Sequence, residues 1–321
     1  MFPTSMNAAS EQTNTRAWQP SISVVLCTYN GAPYLGAQLD SIRSQTYPIY
    51  EVLAFDDGST DGTLDILDRY AAQWPELKVH RNAQRLGFNG NFQQALLAAT
   101  GDAVAISDQD DIWIKEKLEK CVAAWNPGSP LVYCDSMRFE GEVPEVPKRS
   151  HHNVFFSGND ARKLLFANTV SGHAMIVQRH FLAKVLPFRE GIYYDWWTAY
   201  IAADNGGVVF VDEPLVLHRI HGKNASGHKE TTRREALIYH RNDTIRHLKH
   251  FKDAPNVRPE IRELGARFLD LLTNRKSTGR KIELLRLILK NWEVFFYYRR
   301  RKKNMNAASI FKYAARWAFY D

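Results

Sequence analysis

The feature of this sequence that most constrains its fold is an alternation of short apolar runs with helix-like segments over residues 21–113. Residues 21–28, 50–55 and 103–106 are rich in apolar and β-branched side chains, as buried parallel strands are. Between the first two runs, residues 34–44 repeat leucine and isoleucine at helical spacing. Strands and helices that alternate with short connections predict an α/β fold with a doubly wound, mostly parallel central sheet of the Rossmann-like kind.

Further elements extend this pattern. Thr60 is of the residue type that caps a helix, and the apolar spacing after it predicts a helix that runs to about Trp74. A second helix is expected over residues 91–99. Later apolar runs at residues 131–134 and 174–178 read as more strands of the same sheet.

Polar residues stand at the expected carboxyl ends of three strands: Tyr29-Asn30, Asp56-Asp57 and the segment 107–113, Ser-Asp-Gln-Asp-Asp-Ile-Trp. Ligands of open α/β sheets bind at those ends. Three carboxylates within four residues repel one another and are costly to bury, but they suit a hard divalent cation such as Mg²⁺ or Mn²⁺. A plain charged turn after a strand is the alternative interpretation.

Glycine-rich phosphate loops are missing, since the sequence holds no GxGxxG after the first strand and no GxxxxGK[ST]. A bound nucleotide would therefore depend on carboxylates for its base or ribose and on a metal for its phosphates. Asp57, or its neighbour Asp56, suits a carboxylate that accepts the N3–H group of a pyrimidine. A simple strand-to-helix turn with an aspartate cap would account for the same residues.

A candidate catalytic base lies in the segment 193–197, Tyr-Tyr-Asp-Trp-Trp. Four large aromatic side chains around Asp195 lower the local dielectric, which raises the carboxyl pKa towards the value of a useful general base. Their flat faces also suit sugar rings, which makes Trp196 and Trp197 candidate acceptor contacts. The alternative is an acid at a helix start whose aromatic neighbours pack in the core.

A loop histidine, His221, follows the apolar run 216–220. It is a candidate third metal ligand or diphosphate contact, although a lone loop histidine is more often neither. The polar segment 168–173 leads into another predicted strand, and Gly172 and His173 at its end are further candidates for acceptor binding.

Taken together, these segments resemble the inverting family-2 glycosyltransferases of the GT-A fold. The resemblance runs in order over about two thirds of the chain, from residue 21 to residue 227, and its SDQDD-I-W, YDWW and R-x-H-G-x-N forms are similar to bacterial rhamnosyltransferase-like members. The matching pieces are SISVVLCTYNGAPYL, SIRSQTYP, VLAFDDGSTDGT, residues 87–91, ISDQDDIW, YDWW and HRIHGKNASG.

The resemblance implies a role for each matching residue. Asp57 reads the pyrimidine, Asp110 is the direct ligand of Mg²⁺ or Mn²⁺ within a DXD pair, and Asp195 is the catalytic base. Here YDWW stands where many members have a Glu-Asp pair. The other implied residues are Thr28, Tyr29, Asn30, Asn91 and Asp108 at the donor, and Arg219 and His221 over the diphosphate, with His221 as a further candidate metal ligand.

These roles imply transfer of a sugar from a nucleoside diphosphate to a hydroxyl of a growing cell-surface polysaccharide or lipid-linked glycan. The rhamnosyltransferase-like motifs favour rhamnose from dTDP-rhamnose, with a UDP-hexose as the alternative donor. Two other functions stay open: a non-catalytic nucleotide-sugar-binding module, and nucleotidyl transfer on a similar sheet. The second would require a glycine- and lysine-rich loop after the first strand, where this chain has TYNGAPYL.

Charge divides the chain into regions. Residues 231–321 hold 22 Lys and Arg against 9 Asp and Glu, whereas residues 1–230 hold 20 against 26. We expect a flexible tail over residues 1–20, a catalytic domain over 21–230 and a basic helical region over 231–321. That region mixes aromatic and basic residues, including Arg299–Lys303, as helices at anionic membrane surfaces do.

The expected location is the cytoplasm, peripheral to the anionic inner face of the membrane. Residues 1–19 lack an apolar core, and no uninterrupted apolar stretch is long enough to cross a bilayer. Three cysteines without metal-binding spacing suit a reducing compartment. No nucleic-acid-binding motif accompanies the basic charge, so no nucleic-acid partner is expected. A helical bundle packed on the catalytic domain is the alternative to membrane binding.

Overall fold

The computed structural model describes residues 18–148, 154–222, 232–299 and 307–319. Within these residues, one sheet of eight strands forms the centre of the molecule. The strands are β1 Ile22–Thr28, β2 Ile49–Asp56, β3 Leu77–Arg81, β4 Ala103–Asp108, β5 Ile112–Trp113, β6 Leu131–Phe139, β7 Met175–Gln178 and β8 Val208–Arg219.

The strand order in this sheet is β3-β2-β1-β4-β7-β6-β8-β5. Strands β3, β2, β1 and β4 are parallel neighbours, and β6 pairs parallel with β8. Strand β7 runs antiparallel to both β4 and β6, and β5 runs antiparallel to β8. Six of these eight strands therefore run in one direction, which confirms the predicted α/β class with a mostly parallel sheet.

Helices cover both faces of the sheet, as predicted for a doubly wound fold. Alternate residues of β1 enter two separate cores: Val24 packs with Leu35 of the first helix, and Val25 packs with Phe92 of the third. The helices are α1 Ala32–Arg43, α2 Thr63–Ala71, α3 Gly87–Ala98, α4 Lys117–Ala124, α5 Leu182–Val185, α6 Tyr194–Asp204, α7 Arg233–Phe251, α8 Pro259–Thr273, α9 Thr278–Lys290, α10 Trp292–Phe295 and α11 Ala307–Phe319.

The predicted start of α2 is wrong. Asp61, and not Thr60, bonds the first turn, because its Oδ1 accepts the amide of Thr63 at 3.0 Å. Thr60 makes a different contact, because its backbone amide donates to Asn30 Oδ1 in the loop after β1 at 2.8 Å. The helix ends at Ala71, three residues before the predicted Trp74.

The C-terminal region is helical, as predicted, and packs against the sheet's own core. One apolar cluster contains Val25 of β1, Leu248 of α7, Phe268 of α8 and Trp317 of α11, all of them buried. Within the described residues no helix is both long enough and apolar enough to cross a bilayer. The basic run Arg299–Lys303 falls mainly outside the described residues.

Candidate active site

The carboxyl ends of β1, β2, β4 and β8 open into one cavity of about 2520 Å³. Pockets for a single drug-sized ligand measure roughly 300–1,000 Å³, so this cavity has room for two substrates. Twelve of the fourteen residues implicated by sequence line it: Thr28, Tyr29, Asn30, Asp57, Asn91, Asp108, Asp110, Gly172, His173, Asp195, Trp196 and His221. Arg219 and Trp197 do not.

The loop after β1 is fixed by the side chain of Gln109, a residue that the sequence analysis did not single out. Gln109 Oε1 accepts the amide of Tyr29 at 2.9 Å, and its Nε2 donates to the carbonyl of Tyr29 at 3.1 Å. A Cβ atom on Gly31 would collide with Gln109, so this approach requires glycine. Asn30 adopts the left-handed conformation, with φ 49°. The backbone of this loop is therefore held in place before a ligand arrives.

The two neighbouring aspartates at the end of β2 have different surroundings. Asp56 is buried outside the cavity lining, and its carboxylate accepts the hydroxyl of Thr28 at 2.8 Å and the amide of Ser59 at 2.8 Å. Asp57 lines the cavity. Asp56 therefore braces the β1 and β2 loops, while Asp57 is the member of the pair that faces the cavity.

Asp57 also organises the start of α3. Its Oδ1 accepts the amide of Leu86 at 2.7 Å and Asn82 Nδ2 at 3.0 Å, and its Oδ2 accepts the amide of Gly87 at 2.8 Å. A carboxylate oxygen has about two acceptor positions, so Oδ2 keeps one for a further donor. Asn91 is buried beside this site and donates to the carbonyl of Phe55 at 2.9 Å.

Three acids stand at the end of β4 and directly after it, and they differ in whether they face the cavity or the interior. Asp108 and Asp110 line the cavity, whereas Asp111 is fully buried. Burial, together with the charges of Asp111, Asp110 and Asp195, raises the pKa of Asp108 well above its ordinary value. Burial and Asp111 also raise the pKa of Asp110, against the lowering effect of His221. Concentrated negative charge of this kind attracts a cation.

Residues at the end of β8 contact the same acids. His221 Nε2 lies 2.8 Å from Asp110 Oδ2, and its ring stacks on Tyr34 with centroids 4.7 Å apart. Arg219 Nε donates to the carbonyl of Asp110 at 3.1 Å, and its guanidinium lies 5.0 Å from the ring centre of Tyr34. Arg219 thus supports the acid loop from behind the cavity wall. Residues beyond Gly222 in the matching HRIHGKNASG segment lie outside the described residues.

Asp111 fastens this strand end to the acid loop. Its Oδ1 lies 3.0 Å from His218 Nδ1 and accepts the amide of Arg219 at 3.2 Å. The ring of His218 stacks on His173 with centroids 4.6 Å apart and planes 4° apart. Asp111 Oδ2 and His173 Nε2 are buried without a hydrogen-bond partner.

Two groups of residues offer candidate ligands for a cation. The donor atoms of Asp111, His173 and His218 lie within 4.8 Å of one another, the closest three-residue ligand group that the described part of the chain offers. A metal lies in the plane of an imidazole that binds it, so one ion cannot meet two parallel, stacked rings. Asp108 and Asp110, with His221 beside them, fit better, because they offer hard oxygen ligands at the cavity, and a bound cation would relieve the repulsion among the neighbouring carboxylates.

Asp195 stands at the first turn of α6, partly buried in the cavity wall. Its Oδ1 accepts the amide of Trp196 at 2.6 Å, and the amide of Gly172 donates to the same carboxylate. Burial nevertheless raises the pKa of Asp195 to about 6, against these two hydrogen bonds. A carboxylate with that pKa is ionised near neutral pH and still basic enough to accept a proton.

The aromatic residues beside Asp195 serve mainly to pack. Trp196 Nε1 donates to the carbonyl of Leu164 at 2.6 Å, and Trp197 Nε1 donates to the carbonyl of Val185 at 2.9 Å. Trp197 is buried away from the cavity, while Trp196 presents part of its surface to it. A Cβ atom on Gly172 would collide with the phenol of Tyr194, which explains the glycine there.

The C-terminal helices supply another part of the cavity wall, which the sequence analysis did not foresee. Tyr239 and Asp243 of α7, Tyr298, and Tyr313 and Arg316 of α11 line it. Aromatic faces with a few polar groups are the composition of carbohydrate-binding surfaces. The mixed aromatic and basic composition of these helices was a signal for this wall as much as for a membrane surface.

Comparison with known proteins places this geometry in a family. The model of "Glycosyl transferase family 2" matches residues 23–186, about half of the chain. An uncharacterized glycosyltransferase of Nostoc sp. is 28% identical over 63% of this chain and 66% of its own length. TuaG of Bacillus subtilis, named for teichuronic acid biosynthesis, is 38% identical over 32% of this chain and 41% of its own length. The chain thus spans two thirds or less of these two relatives.

Solved structures share the fold. The S. aureus protein TarS, solved with UDP-GlcNAc, is 16% identical, with a TM-score of 0.59 over 93% of this chain and 88% of its own. The mannosyltransferase PcManGT of Pyrobaculum calidifontis, solved with GDP-Man and Mn²⁺, is 18% identical. Its TM-score is 0.57 over 94% of this chain and 86% of its own. The curled, mostly parallel sheet is accordingly a GT-A fold.

Proposed function

This chain belongs to glycosyl transferase family 2, and we propose that it is an inverting enzyme with Asp195 as its catalytic base. It transfers a sugar from a nucleoside diphosphate to a hydroxyl of a growing cell-surface polysaccharide or lipid-linked glycan. The observation that carries the proposal is the shared cavity: Asp195, with its raised pKa, opens on the same space as Asp57 and the Asp108–Asp110 pair.

Charge determines the mechanism. The leaving nucleoside diphosphate gains negative charge as the glycosidic bond breaks, and an active site must stabilise that charge. Asp110, with Asp108 and His221 beside it, would hold a divalent cation, which would supply the positive charge. Asp111 and Arg219 act behind these residues by fixing the acid loop and the strand end that carry them.

Proton transfer completes the reaction. Asp195 accepts the proton of the acceptor hydroxyl while that oxygen attacks the anomeric carbon from the face opposite the diphosphate. The bond between the anomeric carbon and the diphosphate oxygen breaks in the same step, so the anomeric configuration inverts. Backbone amides of Trp196 and Gly172 orient the base towards the acceptor.

The donor end of the cavity suits a pyrimidine nucleotide. Asp57 accepts three hydrogen bonds within the protein and keeps one position on Oδ2 for a ring N3–H group. Thr28, Tyr29, Asn30 and Asn91 line the same cavity. We propose dTDP-rhamnose as the donor, with a UDP-hexose as the alternative. The UDP-GlcNAc and GDP-Man complexes of TarS and PcManGT support a nucleotide sugar in general.

The acceptor occupies the space next to Asp195, against Trp196, Gly172 and His173, and continues towards the wall built by α7 and α11. Trp197 supports this side by packing beneath it. The enzyme works in the cytoplasm at the inner membrane face. The basic surface of residues 231–321 brings it to a lipid-linked acceptor there.

Replacement of the base tests the reaction. Asp195→Asn is nearly isosteric, keeps an acceptor for the Trp196 amide and cannot take a proton, so we expect transfer to fall about 10²-fold or more with donor binding intact. Asp65→Asn, a change at an exposed acid of α2, is the matched control. Full turnover by a folded Asp195→Asn protein would refute the base assignment.

A thermal-shift panel identifies the donor nucleotide. We expect dTDP with Mn²⁺ to raise the melting temperature more than UDP does, and GDP to have the smallest effect, because Asp57 selects a pyrimidine. Removing Mn²⁺ with a chelator should reverse most of the shift. A larger shift with GDP would contradict the pyrimidine assignment while leaving the base untested by this measurement.

A further inference from the structure

A buried histidine of the C-terminal region contacts Tyr193 and Trp196, which lie before and after the proposed base Asp195 in the chain. His247 of α7 is fully buried, outside the cavity lining. Its Nε2 accepts the backbone amide of Tyr193 at 3.2 Å. Its ring stacks on Trp196 with centroids 4.0 Å apart and on Tyr193 at 5.3 Å. The residues that bracket Asp195 therefore both rest on one imidazole.

The partners of the imidazole determine its tautomer. Nδ1 lies 2.8 Å from the backbone carbonyl of Asp243, which can only accept, so Nδ1 carries the hydrogen. Nε2 is then the acceptor that the amide of Tyr193 requires. Burial lowers the pKa of His247 to about 4, so the ring stays neutral and keeps this arrangement at neutral pH.

The segment that carries Asp195 is also anchored at other points, by the carbonyls of Leu164 and Val185 and by the amide of Gly172. The indole of Trp196 is fixed at its far end by the carbonyl of Leu164. Phe251, one turn further along α7, lies 5.9 Å from both the ring of Trp196 and that of His247. The first turn of α6 is thus packed against α7, a helix that begins 39 residues after α6 does.

We propose that His247 is a positioning residue that holds the first turn of α6 so that Asp195 points at the acceptor hydroxyl. The inference rests on the proposed function, because it takes Asp195 as the base. It assigns a catalytic purpose to the C-terminal region, beyond that of a wall or a membrane surface. His247 itself touches no substrate, since it is absent from the cavity lining.

Charged groups around the pair come from several elements. Asp195 is within electrostatic reach of Asp243 on α7 and of Asp108 at the end of β4. His247 has Asp243, Arg246 and His250 around it on its own helix. Any change at His247 must therefore be compared with a change at another charged position of α7.

The test measures the ionisation of Asp195 directly, in the full chain without a ligand. Aspartate labelled with ¹³C in its carboxyl group is titrated by NMR, and the Asp195 signal is assigned by its loss in Asp195→Asn. We expect His247→Ala to admit water and lower the midpoint from about 6 towards the ordinary range. His247→Gln, which offers an amide oxygen to Tyr193, should restore part of the difference.

His250→Ala is the matched control, because His250 lies on the same helix and is only half-buried. If the proposal is right, the Asp195 midpoint in His250→Ala equals that of the unchanged protein. The proposal is overturned if folded His247→Ala has the same Asp195 midpoint as the unchanged protein. It is also overturned if His250→Ala displaces the Asp195 midpoint as far as His247→Ala does. Failure of both His247→Ala and His247→Gln to fold would overturn it as well, because His247 would then serve the fold as a whole.

Turnover separates this inference from the function on which it rests. With the nucleotide sugar chosen by the thermal-shift panel, His247→Ala should lose about 10²-fold in kcat and leave the donor KM unchanged, as misplacement of a reacting group does. If the unchanged protein transfers no sugar, the proposed function fails, while the titration still decides whether His247 controls Asp195.

Discussion

At the scale of single residues, the site is defined by acids in unlike surroundings. Asp56 and Asp57 are adjacent, yet one braces two loops and the other faces the cavity. Asp110 and Asp111 divide in the same way between the cavity and the strand end. Side-chain direction, set by local turns, separates chemical roles that the sequence presents as equivalent pairs.

The raised pKa of Asp195 predicts a pH profile. A base must be ionised to act, and the pKa of about 6 means that half of Asp195 is protonated at that pH. We expect kcat to fall about tenfold per pH unit below 6 and to level off above 7. Initial rates in matched buffers of constant ionic strength will check this. A profile that stays flat down to pH 5 would assign the base elsewhere.

Lys117 predicts a separate effect on stability. Its ammonium is fully buried, donates to the carbonyl of His173 at 3.1 Å and lies 3.4 Å from the ring centre of Trp113. Burial lowers its pKa from 10.5 to about 8, so the unfolded chain binds more protons than the folded chain between those values. Stability from this group therefore increases as the pH rises through that range.

Urea unfolding of the unchanged protein and of Lys117→Met between pH 8 and pH 10 will measure the effect. The difference in unfolding free energy should move in favour of the unchanged protein with rising pH, by up to about 3 kcal/mol at roughly 1.4 kcal/mol per pKa unit. A difference that stays constant with pH would mean that the pKa of Lys117 is the same in the folded and unfolded chains, and the predicted lowering would be wrong.

At the scale of elements, the site depends on links between strand ends. Gln109 joins the loop after β1 to the acid loop after β4, and Asp111 joins that loop to the end of β8. Such links keep residues from distant strands in register at one edge of the sheet. They explain why a loop-built site has a defined geometry.

Asp111 provides the prediction at this scale. Asp111→Ala leaves the amide of Arg219 and the ring of His218 without their acceptor, which costs about 1–3 kcal/mol in a buried site. We expect the strand end to loosen and calorimetric affinity for a nucleotide with Mn²⁺ to fall about tenfold. Asp111→Asn keeps one oxygen acceptor and should lose less. Asp212→Ala, at an exposed acid of β8, serves as the control.

Most strands and the first helices could be predicted from the sequence because their signals are local. Apolar runs define β1, β2 and β4, and the acids directly after them mark the edge where ligands bind. The anchoring of Tyr193 by His247 could not be predicted, because a buried polar contact between residues 54 positions apart leaves no periodic signal. The start of α2 was misplaced because several polar residues before the helix are of types that accept first-turn amides, and Asp61 rather than Thr60 accepts that of Thr63.

At the scale of the whole molecule, the distribution of charge separates the C-terminal region from the rest of the chain, whereas the packing of apolar side chains joins the two. By charge, residues 231–321 are strongly basic and the preceding residues are acidic. By packing, the C-terminal helices share one apolar core with β1 and α3. Many basic side chains of the described helices are exposed, among them Arg234, Lys249 and Arg286, whereas Arg241 is buried and Arg316 lines the cavity. Shared packing and a basic outer surface are compatible with binding at a membrane.

Sedimentation with liposomes tests membrane binding. Basic residues near an anionic surface each contribute about 1 kcal/mol, so we expect binding to vesicles with acidic lipid and little binding to neutral vesicles. Raising the salt concentration should release the protein, because the attraction is screened. Equal sedimentation with both vesicle types at low salt would contradict an electrostatic mode of attachment.

The two sides of the cavity come from different parts of the chain. The family match ends at residue 186, before Asp195 and before every helix from α6 to α11. Asp57, Asp108 and Asp110 lie within the matched residues, whereas the wall built by α7 and α11 lies beyond them. Replacing the side chains of that wall should therefore alter which acceptor fits while leaving the nucleotide end of the cavity intact.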